Sequence, residues 1–206
     1  MIMKTKEVKR LIIWINGAFG SGKTTTAYEL NRRIANSFVY DPENVGFFIR
    51  KNIPKQIVKG DFQDHAIWRE INFSVLHSIS NEFPGIVIIP MTIVNHQYFN
   101  EIITKLKTNG IVVNHFTLLA SRETLLKRLK SRGDNKNSWP AKQIDRCISI
   151  LSQDMFKIHI HTDSLTPEEI ISQIARECNV EMKPDNRGSI KKNIDRLITK
   201  IKHIRI

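Results

Sequence analysis

The sequence predicts an α/β fold in which five parallel strands form one sheet with helices on both faces. Short apolar runs rich in β-branched residues, typical of strands buried on both sides, alternate along the chain with segments of helical periodicity. No internal repeat interrupts this alternation. Strand and crossover-helix units that follow one another in this way form parallel sheets.

Glycine, proline and helix-capping residues punctuate the predicted elements. The five strands are expected at residues 11–15, 38–40, 85–91, 111–120 and 156–161. Helices are expected around residues 23–34, 45–51, 64–79, 99–106, 121–129, 144–151 and 166–178. This order places a helical segment between successive strands, as parallel pairing requires.

Length and composition indicate one globular domain. The chain has 206 residues, of which 41% are hydrophobic, and no apolar run approaches the roughly 18 residues that span a bilayer. The N-terminus, MIMKTKEVKR, lacks the apolar core of a secretory signal, so a cytoplasmic location is expected. Two cysteines, Cys147 and Cys178, without CxxC spacing predict reduced, buried thiols.

The segment between the first strand and the first helix matches the phosphate-binding pattern GxxxxGK[ST]. It reads GAFGSGKT from Gly17 to Thr24 and is expected to bind ATP or GTP. Glycines let the backbone approach phosphate closely, and the following helix N-terminus adds partial positive charge. Lys23 is expected to neutralise phosphate oxygens, and Thr24 to offer its hydroxyl to Mg²⁺. The predicted nucleotide-binding residues are Gly17, Ala18, Phe19, Gly20, Ser21, Gly22, Lys23, Thr24 and Thr25.

Asp41 follows the second predicted strand and is a candidate catalytic and metal-binding residue. The carboxyl ends of parallel strands face the ligand crevice, where a carboxylate can hold Mg²⁺ or accept a substrate proton. The sequence Asp41-Pro42-Glu43 is also a helix start, with aspartate as the cap and proline at the first helical position. The two roles are compatible, and the sequence leaves both open.

The third predicted strand lacks the acid that motor ATPases and GTPases carry at its end. It runs instead into Pro90-Met91-Thr92. This absence favours small P-loop kinases, in which other strand ends serve the metal and the base. Thr92 could bind substrate or metal-bound water, or serve only as a turn hydroxyl.

Basic residues on a later helix suggest a lid over the phosphates. Arg128 and Arg132 lie four residues apart, hence on one helix face, and Gly133 provides a hinge beyond them. Arg146 could join them from the far side of a polar stretch. Guanidinium groups pair well with phosphate, so Arg128 and Arg132 are predicted catalytic residues together with Lys23 and Asp41. A solvated helix face is the alternative.

Two groups of polar residues are further candidates for a substrate pocket. One lies near a helix start and the other follows a strand. Their members are Asp61, Asp64, His65, Arg69 and Glu70, and His96, Gln97 and Tyr98. The histidines show no metal-ligand spacing, which favours structural roles.

The C-terminal segment is a predicted basic amphipathic helix. The chain carries a net charge of +12, and residues 187–205 hold seven Lys or Arg against one acid, Asp195. Apolar residues recur there every three or four positions, at Ile190, Ile194, Leu197, Ile198, Ile201 and Ile204. The pattern fits peripheral binding of residues 189–206 to anionic lipid, or docking of the stripe on the protein's own core. Nucleic-acid binding is not expected, because interleaved aromatics are missing.

Several longer segments resemble the ATP-binding tunicamycin-resistance protein family of Bacillus-type bacteria. They are GAFGSGKTT, VYDPENVGF, PMTIV, HFTLLASRETLLKRL, KNSWPAKQIDRC and KHIRI. The similarity covers nearly everything after about residue 10, and the first nine residues look like an extension. More broadly, the chain is similar to nucleoside-monophosphate kinases and other small-molecule P-loop kinases.

The resemblance implies a P-loop NTPase fold of the nucleoside-monophosphate kinase type and a role in resistance to tunicamycin, a nucleoside antibiotic with a fatty acyl tail. ATP and Mg²⁺ would be the cofactors, and the drug or a related nucleoside the substrate. By the kinase analogy, Arg128 would be an adenine-side and Arg132 a phosphate-side lid residue. The implied layout is a kinase-like domain at 1–183, with a lid at about 128–146, and a helix at 184–206. The alternative activity is ATP-dependent sequestration of the drug at the inner membrane face without phosphorylation.

Overall fold

The computed structural model of the protein describes residues 10–202 and is built on one parallel sheet. Its strands are β1 Leu11–Gly17, β2 Ser37–Val39, β3 Ile86–Pro90, β4 Val113–Leu119 and β5 His159–His161. They lie in the order β2-β3-β1-β4-β5, and every neighbouring pair is parallel. The predicted five-stranded parallel sheet is confirmed.

Helices cover both faces of this sheet. They are α1 Lys23–Arg33, α2 Glu43–Asn52, α3 Ala66–Glu82, α4 His96–Phe99, α5 Lys105–Thr108, α6 Arg122–Lys130, α7 Trp139–Lys142, α8 Ile144–Leu151, α9 Pro167–Glu177 and α10 Ser189–Lys202. A π-helical segment, Asn100–Thr104, joins α4 to α5. None of the helices within residues 10–202 has the length and hydropathy needed to span a bilayer.

The side-chain alternation of β1 divides the interior into two cores. Ile12 and Trp14 point to the side covered by α3, α6 and α8, whereas Ile13 and Ile15 point to the side covered by α1 and α9. The two cysteines are buried free thiols, one in each core, as predicted. Because β1 is buried on both faces, it gives the loop that follows it a rigid base.

Two of the element boundaries that differ from the sequence expectation have a clear structural cause. The last strand was expected from Phe156, but Phe156 lies in a 3₁₀ turn and points into the core, where its ring packs on Phe99 at 5.4 Å between centroids. The last strand that pairs with β4 is therefore only the three residues of β5. The helix expected from about Asp64 begins at Ala66, because Asp61 caps a separate 3₁₀ turn before it by accepting a hydrogen bond from Gln63 N.

The predicted C-terminal helix is present as α10, and the part of its apolar stripe that the structure describes faces outward. Four of its members are 44–78% exposed: Ile190, Ile194, Leu197 and Ile198. Docking of this part of the stripe on the core, one of the two alternatives, is therefore wrong. The reason is electrostatic, because α10 packs on α1 through its charged side, around the fully buried carboxylate of Glu29. Ile204, Arg205 and the first nine residues lie outside the described part of the chain.

Candidate functional site

The loop after β1 has the backbone conformation of a phosphate cradle. Gly17 has a φ of +147°, and a Cβ atom there would lie 2.5 Å from Ser21 Oγ. Gly22, immediately before α1, has a φ of +101°. Side chains rarely adopt these conformations, so both positions need glycine. The loop therefore turns sharply and presents its backbone to the cleft.

A buried hydrogen-bond clamp that the sequence reasoning missed holds this loop to the end of β3. Asn16 Oδ1 accepts hydrogen bonds from Gly17 N at 2.8 Å and Ile93 N at 3.0 Å, and Asn16 Nδ2 donates to Ile93 O at 2.9 Å. Thr92 Oγ1 donates to Gly17 O at 2.7 Å, so Thr92 has a positioning role. A polar residue inside an apolar strand, directly before the glycine, was the signal for Asn16.

The ammonium group of Lys23 lies folded back over the loop. Its Nζ donates to Gly17 O at 2.9 Å and Ala18 O at 3.0 Å, and it lies 5.6 Å from the centroid of the Phe19 ring. Burial lowers the pKa of Lys23 to about 8. Ser21 Oγ is buried without a hydrogen-bond partner among the described residues. A bound phosphate group would accept a hydrogen bond from the unpaired Ser21 hydroxyl. It would also balance the charge of the partly desolvated Lys23 ammonium.

Asp41 lines one cleft of about 680 Å³ together with Lys23 and Thr24. Its Oδ1 accepts a hydrogen bond from Glu43 N at 3.0 Å, so the capping role predicted for it exists. The cleft wall also places its carboxylate where it could meet a ligand. The structure therefore brings the predicted acid and the phosphate loop together, and the two roles coexist.

Arg128 and Arg132 line the same cleft. Arg128 Nη2 donates to Thr162 O at 2.8 Å and Nη1 to Thr162 Oγ1 at 3.0 Å, which fixes the guanidinium, and burial lowers its pKa. Arg132 Nη2 donates to Asp134 Oδ2 at 3.2 Å, while its Nε is buried without a partner in the described part of the chain. The structure does not bring Arg146 to them, because it is exposed and lies outside the cleft wall.

An aromatic contact joins the phosphate loop to the segment at 128–146. The rings of Phe19 and Trp139 meet edge to face, with 5.1 Å between their centroids. Trp139 remains 49% exposed. This pair is not predictable from the sequence, since no local pattern relates residues so far apart in the chain.

The far wall of the cleft carries a second acid and aromatic rings. Asp61 lines it, and burial raises the pKa of this carboxyl. Phe47 and Phe62 lie beside it, with 6.3 Å between their ring centroids, and the Arg50 guanidinium lies 5.4 Å from the Phe62 centroid. This wall offers flat apolar surface together with both signs of charge.

The other residues near this wall make structural contacts. Arg69 pairs with Glu101 and donates to Gln63 O at 2.6 Å. His65 Nε2 accepts from Lys59 N at 3.1 Å. These interactions hold the turn that carries Asp61, and they keep both side chains out of the cleft wall.

Two side chains of the cleft carry oxygen atoms that suit Mg²⁺. Thr24 contributes a hydroxyl and Asp41 a carboxylate to the same cleft, and Mg²⁺ prefers such ligands together with substrate phosphates and water. Within residues 10–202, no cluster of three His, Cys, Asp or Glu side chains could hold a metal ion by itself. Magnesium would therefore be held jointly by these residues and the nucleotide.

A phosphate loop on a parallel sheet, faced by basic residues across a cleft, defines a kinase-like P-loop nucleotide-binding protein, and this fold implies ATP binding. A family model described as an AAA domain matches residues 12–153. The tunicamycin resistance protein of Deinococcus radiodurans has a solved structure that matches with 33% identity and a TM-score of 0.76, covering 86% of this chain and 100% of that one. The chain belongs to the AAA-domain family and to the family of this resistance protein.

Two further solved structures share the fold. A gluconokinase from Sinorhizobium meliloti 1021 matches with 16% identity and a TM-score of 0.59, covering 82% of this chain and 94% of that one. The APS kinase of Mycobacterium tuberculosis, solved with AMPPNP and APS, matches with 14% identity and a TM-score of 0.52, covering 82% and 95%. No curated protein sequence matches the chain. The similarity to kinases at this identity concerns architecture alone.

Proposed function

We propose that the protein is an ATP- and Mg²⁺-dependent phosphotransferase that phosphorylates tunicamycin or a related nucleoside compound. One observation carries the proposal: a single cleft joins the phosphate loop to a wall with carboxylates and aromatic rings. A nucleotide on the loop and a second ligand on that wall would share one space. Phosphoryl transfer needs this proximity more than it needs covalent chemistry from the protein.

The residues around the loop would take separate roles in the transfer. Lys23, Arg128 and Arg132 would balance the charge of the transferring phosphoryl group. An acceptor hydroxyl would attack the γ-phosphorus and lose its proton to the Asp41 carboxylate, while the bond to the β–γ bridging oxygen breaks and ADP leaves. Magnesium bound near Thr24 would neutralise charge on the phosphate oxygens.

The far wall supports a nucleoside as the second ligand. The rings of Phe47 and Phe62 offer surfaces on which a heterocyclic base can stack, and Arg50 and Asp61 can meet polar groups at its edge. The similarity to the tunicamycin resistance protein of Deinococcus radiodurans gives tunicamycin as a specific candidate. Aromatic packing around a few polar groups is typical of small-molecule sites.

Mass spectrometry of tunicamycin after incubation with protein and MgATP tests this proposal. The expected product gains one phosphate. Lys23→Ala should lose both ATP binding and product, whereas Asp41→Asn should keep ATP binding and lower the transfer rate by about 10²- to 10⁴-fold. The variant Asp61→Asn is assayed in the same way, so that the contribution of Asp61 is distinguished from that of Asp41. If the drug binds tightly in the presence of MgATP but stays unmodified, the proposed kinase activity is wrong and sequestration of the drug is supported.

The exposed stripe of α10 favours a location at the membrane surface, whether the protein phosphorylates the drug or sequesters it. Its aliphatic side chains face outward on a helix rich in Lys and Arg, which is the composition of interfacial helices on anionic lipid. We therefore propose peripheral binding to the inner membrane face through 189–206. In this view residues 184–206 act as an attachment helix on a kinase-like domain at 1–183, with the segment at 128–146 as its lid.

Flotation with phosphatidylglycerol-containing liposomes tests the attachment. The double variant Ile194→Ser and Leu197→Ser should lower the bound fraction at least about tenfold, because two exposed aliphatic groups no longer enter the lipid. Ile57→Ser is a matched control, since Ile57 is similarly exposed but lies outside α10. Equal flotation of all three proteins would rule out this surface.

A further inference from the structure

The docking of α10 on α1 is specified by a buried ionic network. Glu29, fully buried on α1, accepts hydrogen bonds from Arg32 Nη1 at 2.8 Å and from Arg187 Nη2 at 2.6 Å. Arg187 also donates to Asp195 at 2.7 Å, and Arg32 donates to Thr199 Oγ1 at 3.2 Å. These contacts hold Arg187, just before α10, and reach the middle and the last turn of the helix at Asp195 and Thr199, so its rotation about its own axis is defined.

This rotation directs Arg196 into the wall of the nucleotide cleft. The Arg196 side chain is 17% exposed, and its Nε lies 3.8 Å from Glu29 Oε1. The Nε atom is buried without a hydrogen-bond partner among the described residues. The α10 helix therefore contributes a cation to the cleft wall, on the side opposite its exposed stripe.

The cleft-wall residues that come from α1, from α9 and from the loop before α9 suit a flat ring. They are Thr25, Tyr28, Leu165, Pro167 and Ile170, and they line the same cleft as Arg196. Arg196 lies at this end because Glu29, which it contacts, is on the α1 turn beyond the phosphate loop. A nucleotide with its phosphates on the loop would extend its base either to this end or to the acidic wall near Asp61.

The chemistry of the two ends decides between these directions. The wall near Asp61 is the one proposed for the acceptor. At the other end, apolar side chains can sandwich a purine ring, and a guanidinium can stack on the ring or donate to its acceptor nitrogens. We propose that Arg196 contacts the purine base of the bound nucleotide, so that the C-terminal helix completes the nucleotide site. This inference rests on the proposed ATP binding and assigns its base end.

Calorimetric titration of the full chain with ATP and, separately, with inorganic tripolyphosphate tests the contact. Arg196→Ala should weaken ATP binding about tenfold and leave tripolyphosphate binding unchanged, because the base contact alone is lost. Arg196→Lys should weaken ATP binding at least about threefold, since an ammonium lacks the planar fork. Lys191→Ala removes an exposed cation from the same helix outside the cleft wall and should change neither affinity.

Unchanged tripolyphosphate binding also reports that the variant is folded. Glu29 retains Arg32 and Arg187 when Arg196 is replaced, so the network that docks α10 stays paired. Should Arg196→Ala not fold, Arg196→Lys, which keeps the charge beside Glu29, is the deciding variant. Undiminished ATP affinity in the folded variant would overturn the contact while leaving the P-loop site intact, and an equal loss for both ligands would also overturn it. Failure of the wild-type protein to bind ATP would remove the proposed function as well.

Discussion

Burial lowers the pKa of the Lys23 ammonium to about 8 in the cleft, where its donors are used by two backbone carbonyls of the loop. Triphosphate oxygens against the ammonium would return the pKa to about 10, the ordinary range for lysine, because a nearby anion favours the charged form. ATP binding should therefore be linked to protonation of Lys23, and affinity should fall as the pH rises through 8.

The size of this linkage follows from the pKa. At pH 7 about a tenth of the free protein carries neutral Lys23, and at pH 9 about nine-tenths does. Neutral lysine must take up a proton on binding, so the apparent Kd for ATP should rise about tenfold between these pH values. At pH 8, binding should take up about half a proton per site.

Isothermal titration of ATP in two buffers of different ionisation enthalpy measures both quantities. Lys23→Arg is the matched control, because its guanidinium stays protonated throughout and its affinity should not change with pH between 7.5 and 9. Ionisation of the nucleotide's terminal phosphate, complete by about pH 7, is common to both proteins. A wild-type Kd independent of pH, with no buffer-dependent heat, would refute the assignment of Lys23 as the partly desolvated phosphate ligand.

Glu29→Ala should lower the free energy of unfolding by about 3 kcal/mol, because the partly buried guanidinium groups of Arg32 and Arg187 lose the buried carboxylate that they share; an unchanged urea midpoint would contradict this. Gly46→Ala should cost about 1–3 kcal/mol and weaken drug binding, since its Cβ would lie 2.5 Å from the Phe62 ring in the cleft wall. Equal thermal unfolding of this variant and the wild type would contradict that packing. ATP should reduce acrylamide quenching of Trp139, the one exposed tryptophan among the described residues. Trp139→Phe should abolish that change, and quenching insensitive to ATP would argue against closure of the 128–146 segment.

Local pattern was enough to predict the sheet and the phosphate loop. Buried parallel strands show as apolar runs, and GAFGSGKT encodes a backbone shape that depends on its own glycines. The capping role of Asp41 was predictable for the same reason, since it acts on the next turn of chain. The expected site residues from Gly17 to Thr25 and Asp41, Arg128 and Arg132 were chosen from such signals, and their roles in binding and catalysis stay predictions.

Tertiary structure alone decided what meets across long sequence separations. The sequence predicted α10 and its apolar stripe but not which side would face the core, because that depends on a carboxylate, Glu29, more than 150 residues away in the chain. The same packing places Arg196 in the cleft, and strand order places Asn16 beside the end of β3. Sequence by itself thus determined the elements and the phosphate loop, whose causes lie within a few residues. The tertiary structure decided which charged groups lie together in the interior. If α10 were rotated differently, the buried Glu29 carboxylate would lose Arg187 as a partner, and this would cost more free energy than burial of the apolar stripe would provide.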